Sequence, residues 1–343
     1  MNQVIKRAGA RFFLYTLFGI LIPILFIWGN LVIHFTFNEY ISPFCNIIFA
    51  LGTLGIFLFM KSLGNAVQVF GGVSTALLLW FIFLPASNER NFMPQSAVPP
   101  EPVIEDNILT VKNFRHFKFK NGKVSSADYK NEVFDLNEIQ GTDMLLSYWD
   151  GHRAIGHTFV SFRFSDGRAL CVSVEIRLEP GESFHPASGM FKQFEIIYVM
   201  GDERDMIRLR TEHRKEEVFF YPMTLTKEQS KAFLVSIAKA AARVYHKPEF
   251  YHSIGKNCTT TMINHLNETS HFNIPATKKY ILNGISDFYA YQMKGIPYDL
   301  PFDTVKRCGY ITPLVNKLPL DENFSTEIRT TVNSLLDQER QKK

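Results

Sequence analysis

Cys258 is the residue of this 343-residue chain whose setting best fits covalent chemistry. It follows Asn257, which is predicted to cap a short helix over 257–266, so that Cys258 is the first helical residue. There the free N–H groups and the helix dipole favour an anion, which lowers the pKa of a thiol. With Asn257 and Thr259 as cap and oxyanion residues, the same N–H groups would stabilise the oxyanion formed when a thiolate attacks a carbonyl. The alternative is a buried cysteine with no chemistry.

A thiol nucleophile needs a base, and His157 is the best placed of the ten histidines. Strands are predicted over 157–164 and 170–178, and the three-residue loop 165–167 between them ends in a glycine, where a positive φ is common. This loop sets His157 opposite Glu175 on one face of the hairpin, so that the carboxylate would orient the imidazole. The alternative is a His–Glu pair that lies on an exposed sheet face and has no catalytic role.

Four other residues share that face or its neighbourhood. The same register sets Ser161 opposite Cys171, which is a weaker candidate nucleophile because it lies in mid-strand without a helix N-terminus. Arg163 and Arg177 flank the His–Glu pair and, with Ser161, are candidate contacts for a phosphate or carboxylate of the substrate. Solvated surface arginines are an equal alternative.

The spacing of the histidines and the number of cysteines give little support for a metal site or a disulfide scaffold. The remaining histidines lack a partner at the spacing of an HExxH or cysteine-rich zinc site, so neither a metal nor another cofactor is predicted. Four cysteines in a chain of this length do not make a disulfide scaffold. No GxSxG or P-loop motif is present.

The first 85 residues have the composition of a membrane domain. They hold only four of the 37 basic side chains and one of the 33 acidic ones. Uncharged stretches cover 12–37, 41–60 and 66–84, and each is about as long as the hydrocarbon core of a bilayer is thick. A short turn is predicted over 61–65. Three spans are therefore expected; the alternative is two spans and a re-entrant segment, which Pro43 would favour.

The flanking charges predict the orientation. Lys6, Arg7 and Arg11 precede the first span, and basic residues are retained on the cytoplasmic side, so the N-terminus is expected inside. Three spans then place everything after residue 84 on the outer side of that membrane, whereas two spans would leave it in the cytosol. This water-facing part is nearly balanced in charge, so it offers no electrostatic case for a nucleic-acid partner.

The rest of the chain is predicted to be an α+β domain behind a proline-rich linker. We expect a membrane domain over 1–85, a linker over 86–106, a catalytic domain over 107–315 and a C-terminal tail over 316–343. Besides the hairpin, strands are predicted over 114–120 and 191–199. A capping box at Thr226 opens a helix that runs to Tyr245.

Around these residues the sequence resembles the bacterial family named for the Lnb N-terminal periplasmic domain. The matching stretches lie between residues 107 and 315 in the family's order: 113–117, 156–164, 173–177, 201–208, 220–222 and 251–260, the last with the Asn-Cys-Thr-Thr core. The family looks like a circularly permuted form of the papain-like fold of NlpC-type amidases, in which a strand histidine precedes an Asn-Cys helix start.

The resemblance implies a cysteine acyltransferase at the periplasmic face of the inner membrane. Cys258 would take an acyl chain from a phospholipid as a thioester and pass it to the N-terminal amine of a lipoprotein. His157 would act as base and then acid, oriented by Glu175. Two other classes stay open: a cell-envelope cysteine amidase or peptidase, and a non-catalytic membrane-tethered assembly protein in which Cys258 pairs with Cys308 or Cys171.

Overall fold

The computed structural model describes residues 2–120, 122–149, 153, 155–270, 272–275 and 283–342. The chain divides into two compact units. Unit 1 contains Met1–Ala86 and the short segment His185–Gln193, and unit 2 contains Ser87–Phe184 and Phe194–Lys343.

Unit 1 is built on three apolar helices, α1 (Asn2–Thr36), α2 (Ser42–Phe59) and α3 (Leu63–Phe83). Their segments Thr16–Thr36, Ser42–Phe59 and Leu63–Phe83 are long and apolar enough to cross a membrane, with mean hydropathies of 2.2, 1.8 and 1.9. This confirms three spans by length and composition. Pro43 does not break α2, because it lies in the first turn, where a missing N–H costs no hydrogen bond.

The predicted turn between the second and third spans is shorter than expected. Ser62 caps α3, since its side chain accepts a hydrogen bond from the backbone N–H of Asn65. Residues 63–65, predicted as turn, therefore form the first turn of the helix.

The segment His185–Gln193 belongs to unit 1 through contacts with the C-terminal ends of two helices. Lys192 Nζ donates to the carbonyl oxygens of Phe81 and Ile82 at 2.7 and 2.8 Å, and Phe191 stacks on Phe35 with ring centroids 5.4 Å apart. Carbonyls at a helix C-terminus lack partners within the helix, so an ammonium group stabilises them. Because Lys192 has a φ of 58°, the strand predicted from residue 191 begins only at Glu195.

Unit 2 is organised around one eight-stranded sheet. Its strands are β1 (Glu101–Glu105), β2 (Ile108–Lys120), β3 (Lys123–Asp135), β4 (Ile139–Tyr148), β5 (His157–Phe164), β6 (Ala169–Arg177), β7 (Glu195–Asp202) and β8 (Glu217–Pro222). The strand order is β1-β2-β7-β6-β5-β4-β8, and β3 pairs with β2. Only the β2–β7 pair is parallel among these ladders. The predicted α+β class with a mostly antiparallel sheet is confirmed.

The β5–β6 hairpin has the predicted register. Val160 pairs with Val172 and Ser161 with Cys171. Gly167 has a φ of 86°, a backbone conformation that a residue with a Cβ rarely adopts. The turn thus directs alternate side chains of both strands to the same faces of the sheet.

Helices cover both faces of the sheet. They are α4 (Glu203–Arg208), α5 (Lys227–His246), α6 (Cys258–Thr269), α7 (Ser286–Gln292), α8 (Phe302–Cys308), α9 (Thr312–Val315) and α10 (Phe324–Gln341). Helices α5 and α6 pack in the core cluster on one face, and α4, α8, α9 and α10 pack in the cluster on the other. Thr226 forms the predicted capping box at the start of α5.

The predicted linker and tail differ from the structure. Residues 101–105 form β1, and residues from Ser87 onward belong to unit 2, where Arg90 pairs with Glu179 and Glu195. The predicted tail contains α10, an amphipathic helix whose Phe324 and Ile328 are fully buried. Prolines suggested an extended spacer over 86–106, but packing within unit 2 outweighs that local preference.

Candidate active site

Cys258 begins α6, as predicted, and Asn257 caps the helix. The Asn257 Oδ1 atom accepts a hydrogen bond from the backbone N–H of Thr260 at 2.9 Å, and Thr260 Oγ1 accepts one from the backbone N–H of Asn257 at 2.9 Å. This reciprocal capping box holds the first turn rigidly. The Cys258 side chain is only 5% exposed and belongs to the core cluster on the α5–α6 face. The thiol therefore lies in a buried site at a helix N-terminus.

His157, at the start of β5, is close enough to the thiol of Cys258 for each group to shift the pKa of the other. Burial alone would lower the pKa of His157, but the negative charges of Glu175 and Cys258 outweigh burial and raise it to about 9. Burial would raise the pKa of Cys258, but His157 and the backbone N–H of Thr158 overcome it, so this pKa lies below the ordinary thiol value. Both shifts favour the thiolate–imidazolium form of the pair.

Glu175 orients His157, and Ser173 lies between them. The His157 Nε2 atom is 3.2 Å from Glu175 Oε1 and 2.6 Å from Ser173 Oγ. Ser173 donates its own proton to Glu175 at 2.7 Å, so its oxygen accepts from the imidazole N–H. With Nε2 engaged in this way, Nδ1 is the nitrogen left to face Cys258. The predicted His–Glu pairing therefore has a geometry suited to a catalytic base.

Arg210 holds this carboxylate and was not predicted. Its Nη2 atom donates to Glu175 Oε1 at 2.7 Å and to Ser173 Oγ at 3.0 Å, and its side chain is fully buried. Burial would raise the pKa of Glu175, but His157 and Arg210 lower it well below its ordinary value. Arg210 lies in a short π-helical segment, Leu209–His213. No residue spacing in the sequence indicated that this segment reaches the site.

Asn283 is a second site residue that sequence reasoning missed. Its Nδ2 atom donates to Cys258 Sγ at 3.4 Å, within the range of a hydrogen bond to sulfur. Thr259 lies on the other side, with its Oγ1 atom 3.8 Å from the same sulfur. An amide donor and the N-terminus of α6 thus both approach the thiol. Asn283 begins a single 3-10 turn, Asn283–Ile285, which is too short to give a periodic signal, and this is why the sequence did not reveal it.

The structure places the other predicted contacts elsewhere. Arg177 is buried, and its guanidinium donates to the backbone oxygens of Ser96 and Ala97. Ser161 is fully buried and accepts from Arg329, while Arg163 approaches Asp143 to 4.0 Å. These residues share the predicted sheet face, where Arg177 and Ser161 are buried in packing contacts and Arg163 stays 30% exposed.

The two other cysteines of unit 2 are unsuited to be the nucleophile. Cys171 is fully buried, and burial raises its pKa well above the ordinary thiol value. Burial also raises the pKa of Cys308. All four cysteines are free thiols, so Cys258 is not paired with Cys308 or Cys171.

The comparisons with known proteins identify the domain that carries this site. No curated protein and no solved structure matches the chain. The family model described as the Lnb N-terminal periplasmic domain matches residues 125–303, which is just over half of the chain and includes His157, Glu175, Cys258 and Asn283. Together with the three apolar helices, this match indicates a membrane protein with a periplasmic domain, and the chain belongs to the family of the Lnb N-terminal periplasmic domain.

Proposed function

We propose that this protein is a thiol acyltransferase of the bacterial inner membrane. It would move an acyl chain from a phospholipid to Cys258 and then to an amine, the N-terminus of a lipoprotein. The observation that carries the proposal is the buried Cys258–His157–Glu175 arrangement at the start of α6, in a chain that also has three helices able to span a membrane. Both substrates are held in a bilayer, so a membrane-anchored enzyme suits them.

In the first half-reaction, the Cys258 thiolate attacks the ester carbonyl carbon of the phospholipid. The negative charge that develops on the carbonyl oxygen would be stabilised by the N-terminal N–H groups of α6 and by Asn283 Nδ2. His157 then gives its proton to the leaving glycerol oxygen as the carbon–oxygen bond breaks. The products are a thioester on Cys258 and a lysophospholipid.

In the second half-reaction, the acceptor amine attacks the thioester carbonyl. His157, now neutral, takes a proton from the amine, and the carbon–sulfur bond breaks to restore the thiolate and form an amide. Glu175 keeps its negative charge in both halves and holds the imidazole in one orientation. This role follows from its strongly lowered pKa.

The proposed orientation puts the N-terminus in the cytoplasm. Lys6, Arg7 and Arg11 precede the first span and support this orientation, and three spans then place unit 2 in the periplasm. Cysteine-accessibility labelling at the two ends of the membrane unit would test it.

The proposal is tested by detecting the acyl-enzyme. The full-length protein, incubated with a phospholipid of defined acyl chains, is expected to gain the mass of one acyl group on Cys258. The Cys258→Ala variant should gain none, whereas Cys308→Ala, which removes another buried thiol of unit 2, should still be acylated. A wild-type protein that never forms the adduct, although iodoacetamide labels its Cys258, would contradict the proposal.

The same residues could pass the acyl group to water instead. A cell-envelope amidase or peptidase would change the cross-bridges or stem peptides in a muropeptide analysis, and a lipoprotein acyltransferase would leave them unchanged. Transfer to the amine of a diacylated lipoprotein, measured with the purified acyl-enzyme, separates the two activities directly.

The Asn283→Ala variant tests the proposed oxyanion contact. Removing one oxyanion donor costs about 10²–10³-fold in rate, and we expect acyl-enzyme formation to fall by that factor. Alkylation by iodoacetamide forms no oxyanion, so its rate should change much less. If both rates fell equally, Asn283 would act on the thiolate itself and not on the oxyanion.

A further inference from the structure

An apolar slot begins beside the nucleophile. It has a volume of about 70 Å³ and is lined by residues of α6, α7 and strands β4 and β5. Two lining residues directly follow the proposed catalytic pair in the chain: Thr158 follows His157, and Thr259 follows Cys258, with its Oγ1 atom 3.8 Å from the Cys258 sulfur. The slot therefore adjoins the site of the proposed chemistry.

The α6 side of the slot runs along the helix from the nucleophile. Thr259, Met262, Ile263 and Leu266 all line it, a spacing that puts them on one helix face. At 1.5 Å per residue, this stripe extends about 10 Å from the first turn. The slot is thus elongated along α6 and leads away from Cys258.

The lining suits a hydrocarbon. It has no charged side chain, and three of its four hydroxyl-bearing residues bond to each other: Thr259 Oγ1 donates to Thr158 Oγ1 at 3.2 Å, and Thr158 Oγ1 lies 2.9 Å from Ser286 Oγ. Four of the ten methionines of the chain line it. Unbranched thioether side chains adapt their rotamers to a guest, so the slot can widen for an incoming chain. A polar stem peptide would lose its hydrogen bonds to water there without replacement.

We propose that this slot binds the acyl chain of the donor lipid, at the carbons nearest the thioester. The inference rests on the proposed function and adds to it the place in the fold that binds a linear acyl chain. A water-sized group needs about 10–15 Å³ of cavity volume, so the slot holds roughly five groups of that size. The slot takes the proximal methylenes and aligns the carbonyl carbon with Cys258 Sγ.

A series of p-nitrophenyl esters tests the slot without a membrane. The full-length protein is mixed with p-nitrophenyl acetate, butyrate, octanoate and laurate, and the release of p-nitrophenolate and the mass adduct on Cys258 are both recorded. Each buried methylene contributes about 0.8 kcal/mol, about fourfold, so octanoate should acylate Cys258 at least tenfold faster than acetate.

Two variants of slot residues should shift this preference in opposite directions. Ala290→Phe fills the slot and should remove most of the advantage of octanoate over acetate, while Ile263→Ala enlarges it and should favour laurate. The matched controls Gln292→Phe on α7 and Asn264→Ala on α6 change exposed neighbours that do not line the slot, and should keep the wild-type preference. Labelling of Cys258 by iodoacetamide should be equal in all five proteins.

The outcomes separate this inference from the function on which it rests. Cys258 adducts that form at equal rates with acetate and laurate, or a preference that neither slot variant changes, would overturn the slot while leaving the thioester chemistry intact. If no ester acylated an otherwise reactive Cys258, the proposed function would fail and the slot proposal with it.

Discussion

Replacing His157 with asparagine is expected to slow acyl-enzyme formation about 10²–10⁴-fold, the usual contribution of a positioned acid–base group. His157 is the main favourable partner of the Cys258 thiolate and lowers its pKa against the effect of burial. Without the imidazolium, burial would raise the pKa of Cys258 and leave a neutral thiol at neutral pH. The leaving oxygen would also lose its proton donor.

The pH dependence of alkylation separates these two effects. In the wild type, the pKa of Cys258 lies below its ordinary value and that of His157 is raised to about 9, so alkylation by iodoacetamide should persist to lower pH than for an ordinary thiol. In His157→Asn the alkylation profile should shift to higher pH. His246→Asn, at the exposed end of α5, is the control. Identical profiles for all three proteins would show that His157 does not activate the thiol.

Replacing Arg329 with methionine is expected to destabilise unit 2 by about 3–5 kcal/mol, because it removes one partner of a buried ion network. Arg329 lies on α10 and bonds two fully buried carboxylates, Asp143 at 2.9 Å and Glu203 at 2.9 Å. Burial raises the pKa of Asp143 even with Arg329 present, whereas Arg329 overcomes burial at Glu203 and lowers its pKa. Without the guanidinium, both acids would have to be protonated or exposed to water.

The buried thiol of Cys171 provides the readout. It is fully buried in the sheet, so the urea concentration at which iodoacetamide reaches it reports the opening of unit 2. Arg340→Met is the matched control on the same helix, because Arg340 is 39% exposed and pairs with Asp299 and Asp337 at the surface. Exposed pairs contribute about 0–1 kcal/mol. Equal effects of the two substitutions would mean that α10 is a peripheral tail.

The parts of the site that could be predicted are those determined by neighbours in the chain. Asn257 caps α6 through residues within one turn, so the position of Cys258 at the helix start follows from four consecutive residues. Gly167 and the alternation of β5 and β6 determine the hairpin register. The pairing of His157 with Glu175 follows from that register.

The residues that were missed are joined to the site by long-range packing. Arg210 reaches Glu175 from a π-helical turn, and Asn283 reaches Cys258 from a short 3-10 helix 25 residues further along the chain. Arg177 was expected to contact the substrate. It lies on the predicted sheet face, but its guanidinium bonds to Ser96 and Ala97, and their position depends on how the chain before β1 folds back.

The sequence by itself determined the three apolar spans, the hairpin that pairs His157 with Glu175, and the helix start at Cys258, since each depends on local periodicity, turn residues or capping. Only the tertiary structure decided that β5 and α6 bring His157 to the thiol, that Arg210 and Asn283 complete the site, and that an apolar slot adjoins it. The physical reason is that these contacts join segments far apart in the chain, where burial of side chains against the sheet, not local propensity, sets the geometry.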